Sequence, residues 1–220
     1  MGDPERDERP WPRETRLFWA TYHTVRALLR VLCAFKVEGL EQYPRGPAVI
    51  VANHPSALDA LFLAAAVPER VLFVGAAEFL AIPVVGWAMR TYGCIPVRRG
   101  EVDLSVIRES VCALRAGRKV AIFPEGRVTP EPGPLHRGAA LIAARAGAPI
   151  VPVAVHGTDR VFPLGARVPR PGRVRVRIGS PQPPPPPAAV EQAALAAANE
   201  ALAAAMAWVR DCHPGTGRVR

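Results

Sequence analysis

His54 and Asp59 are the residues of this chain best placed to move a proton. They lie in residues 49–59, which read VIVANHPSALD. A carboxylate on one imidazole nitrogen fixes the tautomer and leaves the other nitrogen as a base. The two residues are five positions apart, and on one regular helix they would point roughly 140° apart. That constraint relaxes if His54 lies at a helix cap. The apolar run at 49–52 reads as a buried strand stopped by Asn53-His54-Pro55. Proline suits the first turn of a helix, where its missing N–H would have no partner. The residue before a proline is held out of helical angles. The stretch therefore predicts a strand, His54 at the junction, a helix from Pro55 and Asp59 about one turn inside it. A helix N-terminus also disfavours a positively charged ring. A capping histidine and an aspartate that merely complements the helix dipole would give the same pattern.

More polar clusters follow apolar runs. Arg98-Arg99 comes after 94–97, Glu125-Gly126-Arg127 after 120–123, and His156-Gly157 after 150–155. Each run is short and bounded by turn residues, as buried strands are. A further strand is expected at 71–75. Residues 173–178, RVRVRI, alternate basic and apolar residues, as an antiparallel or edge strand with one wet face does. Helices are expected at 102–114, from about 136 to 147, and at 14–35. Strands alternating with helices predict an α/β fold. In open sheets of that class, ligands bind beyond the carboxyl ends of the strands. A base, a carboxylate and arginines gathered there would suit acid–base chemistry on an anionic substrate, since a guanidinium can bond two phosphate oxygens at once.

In the helix expected at 14–35, Phe18, Tyr22, Val25, Leu29 and Leu32 form one stripe, and Arg16, His23, Arg26 and Arg30 form another face. A basic amphipathic helix of this kind can lie in a membrane interface, or it can pack its stripe on its own domain. No apolar segment reaches the roughly 18–20 residues that span a bilayer. Residues 79–89, FLAIPVVGWAM, are broken by Pro83 and Gly86 into short helices or a loop.

The 220 residues suffice for one core, and 50% are hydrophobic, which excludes wholesale disorder. The net charge of +9 points to an anionic partner. Aromatics are 6% and do not interleave with basic residues as in single-strand binders, so lipid or phosphate ranks above nucleic acid. Cys33, Cys94, Cys112 and Cys212 lack metal-ligand spacing and read as reduced, mostly buried thiols. No metal site is expected.

Four blocks in order then carry a family resemblance: residues 53–59 (NHPSALD), 93–99 (GCIPVRR), 123–126 (FPEG) and 151–154 (VPVA). The chain resembles the 1-acylglycerol-3-phosphate acyltransferases from about residue 36 to 180. It departs from them where Arg127 directly follows the glycine and where Arg98 stands at a commonly acidic position.

The resemblance implies a central mixed, mostly parallel sheet flanked by helices, with an N-terminal amphipathic helix, as in glycerol-3-phosphate acyltransferase-like folds. Residues 1–13, charged and proline-containing, read as a disordered start, 181–187 as a polyproline linker and 188–220 as a C-terminal helix and tail, and the resemblance implies a membrane-associating amphipathic helix at 14–35 and the acyltransferase domain at 36–180. It implies transfer of an acyl group from an acyl thioester to a lysophospholipid hydroxyl, giving phosphatidate from 1-acyl-glycerol-3-phosphate. A glycolipid or amino-lipid acceptor, or a non-catalytic lipid-binding module, are the alternatives. His54 would be the general base and Asp59 its orienter. Arg99 would hold the acceptor phosphate, with Asn53, Glu125, Gly126 and Arg127 shaping the same pocket. No cofactor is implied beyond acyl-CoA or an acyl carrier protein as co-substrate. The partners would be those donors, the lipid acceptor and an anionic membrane surface, not nucleic acid. The place of work would be peripheral, on the cytoplasmic face of the cell membrane.

Overall fold

The structure, a computed structural model, describes residues 14–98, 104–129, 137–184, 200, 203, 204, 206 and 207. The expected start at 1–13, Arg99, and most of the linker and tail lie outside the described residues.

Helix α1 (Arg16–Cys33) opens the described chain, with Thr15 Oγ1 accepting the Phe18 N–H at 3.2 Å as its N-cap. The strands follow as β1 (Lys36–Glu38), β2 (Val49–Ala52), β3 (Leu72–Ala76), β4 (Cys94–Val97), β5 (Val120–Ile122), β6 (Ile150–His156) and β7 (Arg175–Ile178). The other helices are α2 (Asp59–Ala66), α3 (Pro83–Tyr92), α4 (Leu104–Arg115), α5 (Gly138–Ala146) and the short α6 (Thr158–Val161). Single 3₁₀ turns occupy Leu40–Gln42 and Ala77–Ala81.

The strands form one seven-stranded sheet in the order β1-β7-β6-β2-β5-β3-β4. All described pairings are parallel except that of β6 with β7. This is the mixed, mostly parallel α/β sheet the sequence predicts. The basic strand is antiparallel, as expected, but it is not an edge. The unpredicted β1 covers its outer side, Lys36 registering with Arg175.

Because β2 is buried on both faces, its residues are apolar without alternation. One face packs Ile50, Ala52, Val151 and Val153 against Phe62 and Leu63 of α2 and Leu29 of α1. The other packs Val49, Val51 and Val120 against Val106 and Leu114 of α4, Ile142 of α5, and Met206 from the tail. Cys33 is buried, while Cys94 and Cys112 are only partly so, which corrects the expectation of mostly buried thiols; none of the three is in a disulfide.

Two further expectations change. The helix after β2 starts at Asp59 rather than Pro55. The Asp59 N–H closes a turn on Ser56 O at 3.2 Å, and the first α-type bond is Phe62 N to Leu58 O. The stripe of α1 faces the protein rather than lipid. Phe18, Tyr22 and Leu29 are buried, with Arg70 lying 4.6 Å over the Phe18 ring. Leu32 is exposed instead, and with Leu17, Leu28 and Val31 it marks a different apolar side of the helix.

Candidate active site

The carboxyl ends of the adjacent strands β6, β2 and β5 bring the site together. Asn53 and His54 leave β2, residues 123–127 leave β5, and His156 and Thr158 lie at the end of β6. Asn53 extends the sheet with its side chain. Its Nδ2 donates to Val155 O at 2.9 Å, and its Oδ1 accepts the Val155 N–H at 2.7 Å. These two bonds use one N–H and one carbonyl lone pair of the amide, so Asn53 positions the turn.

The next residue is fixed from both sides. The His54 N–H donates to Glu125 Oε2 at 2.8 Å, and its carbonyl accepts the Thr129 N–H at 2.8 Å. A backbone N–H on a carboxylate is charge-assisted and correspondingly strong. Beside the role expected for it in the pocket, Glu125 thus holds the His54 backbone with one carboxylate oxygen. Gly126, with φ of 67°, makes the turn that allows this, its N–H on Phe123 O at 3.0 Å.

The His54 ring lies against Phe123, centroids 4.1 Å apart and planes 16° from parallel. Its Nδ1 meets Asp59 Oδ2 at 2.8 Å. The same carboxylate oxygen accepts the Ser56 N–H at 2.7 Å, folding Asp59 back over the turn. The proposed pairing is thus reached without a helix at Pro55. The Asp59 side chain is 0% exposed and that of His54 17%, so the carboxylate is sealed while the ring reaches solvent. With Nδ1 engaged, Nε2 is the nitrogen left to face a substrate. Burial raises the Asp59 carboxyl above the ordinary carboxylate range, and hydrogen bonds from His54, Thr158 and Ser56 N–H oppose that shift. Asp59 Oδ1 and Thr158 Oγ1 nevertheless make no hydrogen bond of standard geometry, so the Thr158 contribution is weak.

Ser56 is buried and its Oγ donates to Phe162 O at 2.9 Å, so its hydroxyl is engaged in the turn. Arg98 and Arg127 are exposed. Phe123 and Thr158 are the site residues that sequence reasoning passed over. The signal for Phe123 was its place at the head of the Phe-Pro-Glu-Gly block. Thr158 carried no signal beyond following a strand.

A separate pocket of about 470 Å³ opens at the opposite edge of the sheet, lined by Tyr43, Arg45, Glu69 and Lys119 among others. There Lys119, 2% exposed, pairs with Glu69 at 2.7 Å and sits 4.7 Å over the Tyr43 ring. These contacts tie the amino ends of the strands together, away from the histidine and carboxylate. No group of three His, Cys, Asp or Glu suited to a metal occurs among the described residues.

The site is therefore a histidine held by a buried carboxylate at the carboxyl edge of the sheet. Residues 34–156 match the family model described as Acyltransferase. Over 152 residues the chain is 34% identical to a chloroplastic 1-acyl-sn-glycerol-3-phosphate acyltransferase of Brassica napus, covering 66% of this chain and 44% of that one. It is 35% identical over 130 residues to a lyso-ornithine lipid O-acyltransferase of Pseudomonas aeruginosa, covering 56% of this chain and 50% of that one. The chain spans about half the length of these curated relatives. In fold it is similar to the crystal structure of a 1-acyl-sn-glycerophosphate acyltransferase from Thermotoga maritima. The TM-score is 0.70 at 24% identity, over 96% of this chain and 85% of that one.

Proposed function

Since the chain belongs to the acyltransferase family, we propose that it transfers a fatty acyl group from an acyl thioester to the free hydroxyl of a lysophospholipid, with 1-acyl-glycerol-3-phosphate as acceptor and phosphatidate as product. The observation that carries this reading is the 2.8 Å contact between His54 Nδ1 and Asp59 Oδ2, which leaves Nε2 as the base. Nε2 takes the proton of the acceptor hydroxyl as its oxygen attacks the thioester carbonyl. A C–O bond forms, the C–S bond breaks, and the proton passes from His54 to the departing thiolate. A thiolate leaves readily, so the step needs no second acid. The donor carries coenzyme A or acyl carrier protein, and no other cofactor takes part.

Arg99 is the proposed ligand of the acceptor phosphate, and Arg127 adds positive charge beside it. Arg99→Ala is expected to lower kcat/KM for a phosphorylated acceptor by roughly tenfold or more, the size of a lost charge-assisted contact, with donor KM little changed. Equal losses on phosphorylated and unphosphorylated acceptors would remove Arg99 from this role. A lyso-ornithine lipid is the second reading of the acceptor, favoured by the likeness to the Pseudomonas aeruginosa enzyme. Incubating the purified protein with one acyl thioester and a panel of lyso-lipids, followed by mass spectrometry, separates the two. A product on lysophosphatidate is expected; no thioester-dependent product on any lipid would overturn the acyltransferase reading.

We place the protein peripherally on the cytoplasmic face of the membrane, where the acceptor's acyl tail resides. No described helix is long and apolar enough to cross a bilayer. The support is the outer side of α1, where Leu17, Leu28 and Val31 are exposed beside Arg16 and Arg30. Deleting α1 would strip Phe18, Tyr22 and Leu29 from the core, so the test must spare them. Leu28→Ser with Val31→Ser is expected to reduce co-sedimentation with anionic vesicles at unchanged thermal unfolding. Unaltered co-sedimentation would rule this helix out as a contact.

A further inference from the structure

We propose that the loop at 162–174, between α6 and β7, is a second membrane-docking element, and that its partner is an anionic bilayer surface beside the active-site turn. The proposal rests on the reading of the acceptor as a membrane lipid for its purpose, but binding can be measured without turnover.

The composition of this segment is one-sided. Arg167, Arg170 and Arg173 fall in it, Arg160 precedes it in α6, Arg175 and Arg177 follow it in β7, and from 160 to 178 there is no Asp or Glu. Arg160, Arg167, Arg170 and Arg173 are exposed. Between them the loop holds two large apolar side chains out into water, Leu164 at 75% and Val168 at 71% exposure.

Slackness does not explain that exposure, because the loop is braced from within. The Arg170 N–H donates to Val161 O at 2.7 Å, and the Ala166 N–H to Pro163 O at 3.0 Å. Pro163, Pro169 and Pro171 restrict its backbone further. Gly172 packs so closely on Val161 that a Cβ would lie 2.7 Å from its Cγ2. A fixed loop that presents apolar tips between arginines has the chemistry of an interfacial contact. The tips enter the acyl boundary while the guanidinium groups bond lipid phosphates. An acidic protein or nucleic acid would use the arginines but not Leu164 and Val168.

Position makes the surface useful. At one end, Phe162 O accepts the Ser56 hydroxyl, in the turn between His54 and Asp59. Gly157, with φ of 84°, lies so near the other limb that a Cβ would strike the Arg173 carbonyl oxygen. At its return, the Val174 N–H donates at 3.0 Å to the carbonyl of Cys33, the last residue of α1. The loop thus adjoins the helix that exposes Leu28 and Val31, and its base is hydrogen-bonded to the catalytic turn.

The test uses the full chain and sedimentation with vesicles of phosphatidylcholine alone or mixed with phosphatidylglycerol. Arg167→Gln with Arg170→Gln is expected to lower the partition coefficient for the mixed vesicles by roughly 30-fold, the combined effect of losing two basic residues near an anionic surface. Leu164→Ser with Val168→Ser should lower it by a similar factor through lost apolar contact. Both doubles should keep wild-type thermal unfolding and wild-type kcat/KM on a detergent-dispersed acceptor, and lose activity only on vesicles. Leu164→Trp should blue-shift its added emission when mixed vesicles are present.

Wild-type partitioning by both doubles, or an unshifted Leu164→Trp spectrum, would overturn the proposal. Loss in the arginine double alone would mean surface adhesion without insertion and would overturn it as stated. Tighter binding to an acidic peptide or RNA than to vesicles at the same salt, lost in the arginine double, would give the loop another partner. Loop-dependent vesicle binding with no acyl product on any lipid would uphold the loop and remove the catalytic reading instead.

Discussion

His54→Ala is expected to lower thioester-dependent acyl transfer by roughly 10²- to 10⁴-fold, the range a positioned general base contributes. Folding should survive the change. Both bonds that anchor the residue, its N–H to Glu125 Oε2 and its carbonyl from the Thr129 N–H, are backbone bonds that alanine keeps. The ring itself covers part of Phe123 and is partly open to water, so its loss leaves an accessible gap rather than a sealed cavity. Thiol release from an acyl thioester in the presence of lyso-lipid is the readout, with thermal unfolding as the control. Retention of more than about a tenth of the wild-type rate at unchanged stability would remove His54 from the proton transfer.

Asp59→Asn should have a comparable effect on turnover and the opposite tendency in stability. With the amide oxygen in the place of Oδ2, the variant's side chain still accepts both the Ser56 N–H and the His54 Nδ1–H, but it carries no charge to stabilise the imidazolium that forms when Nε2 takes a proton. A loss of roughly 10²-fold or more in kcat is expected, with KM for the donor little altered.

The stability tendency follows from burial, which raises the Asp59 pKa. An acid whose folded pKa lies above its unfolded value favours folding in its neutral form. That contribution is complete below the ordinary carboxylate range and is lost as pH rises through the elevated folded value. Above it the wild type holds a buried carboxylate, whereas the asparagine variant holds none. The variant should therefore unfold at the same or higher temperature at neutral pH, and its advantage should shrink on acidification. A variant that is both inactive and clearly less stable at neutral pH would mean that Asp59 mainly holds the turn together.

Much of this arrangement was legible from residue order, for identifiable reasons. Strands β2, β4, β5 and β6 are short apolar runs stopped by turn residues, and burial of β2 and β6 along almost their whole length leaves few other readings there. Strand β1 was not legible, because Lys36-Val37-Glu38 offers one apolar residue and gains its place only by pairing with β7. The stripe of α1 fell at the right positions, but periodicity does not say whether a sheet or a lipid covers it. The pairing of His54 with Asp59 was foreseen through a helix at Pro55. The chain instead reaches it by a turn, because a carboxylate that also accepts the Ser56 N–H replaces the helical bonds that would have formed there. Glu125 was legible as a site residue but not as a backbone anchor, since that depends on β5 lying beside β2, which spacing along the chain does not encode.

The junction of β1 with β7 bears on how the protein is made. The first described strand is placed by the last, and α1 ends on Val174 just before that last strand. During synthesis, therefore, α1 leaves the ribosome with Phe18, Tyr22 and Leu29 uncovered; Arg70 and Tyr92 follow to cover Phe18, but the carboxyl end of α1 is fixed only once Val174 has been added. Contacts so far apart in sequence slow folding and prolong the exposure of apolar surface. A chain cut before β7 would lack the partner of β1 and the strand against which the end of α1 is fixed, even though His54, Asp59 and Glu125 had all been made. Completion of the turn from His54 to Asp59 and completion of the fold are separate events in the life of the nascent chain, and the second comes last.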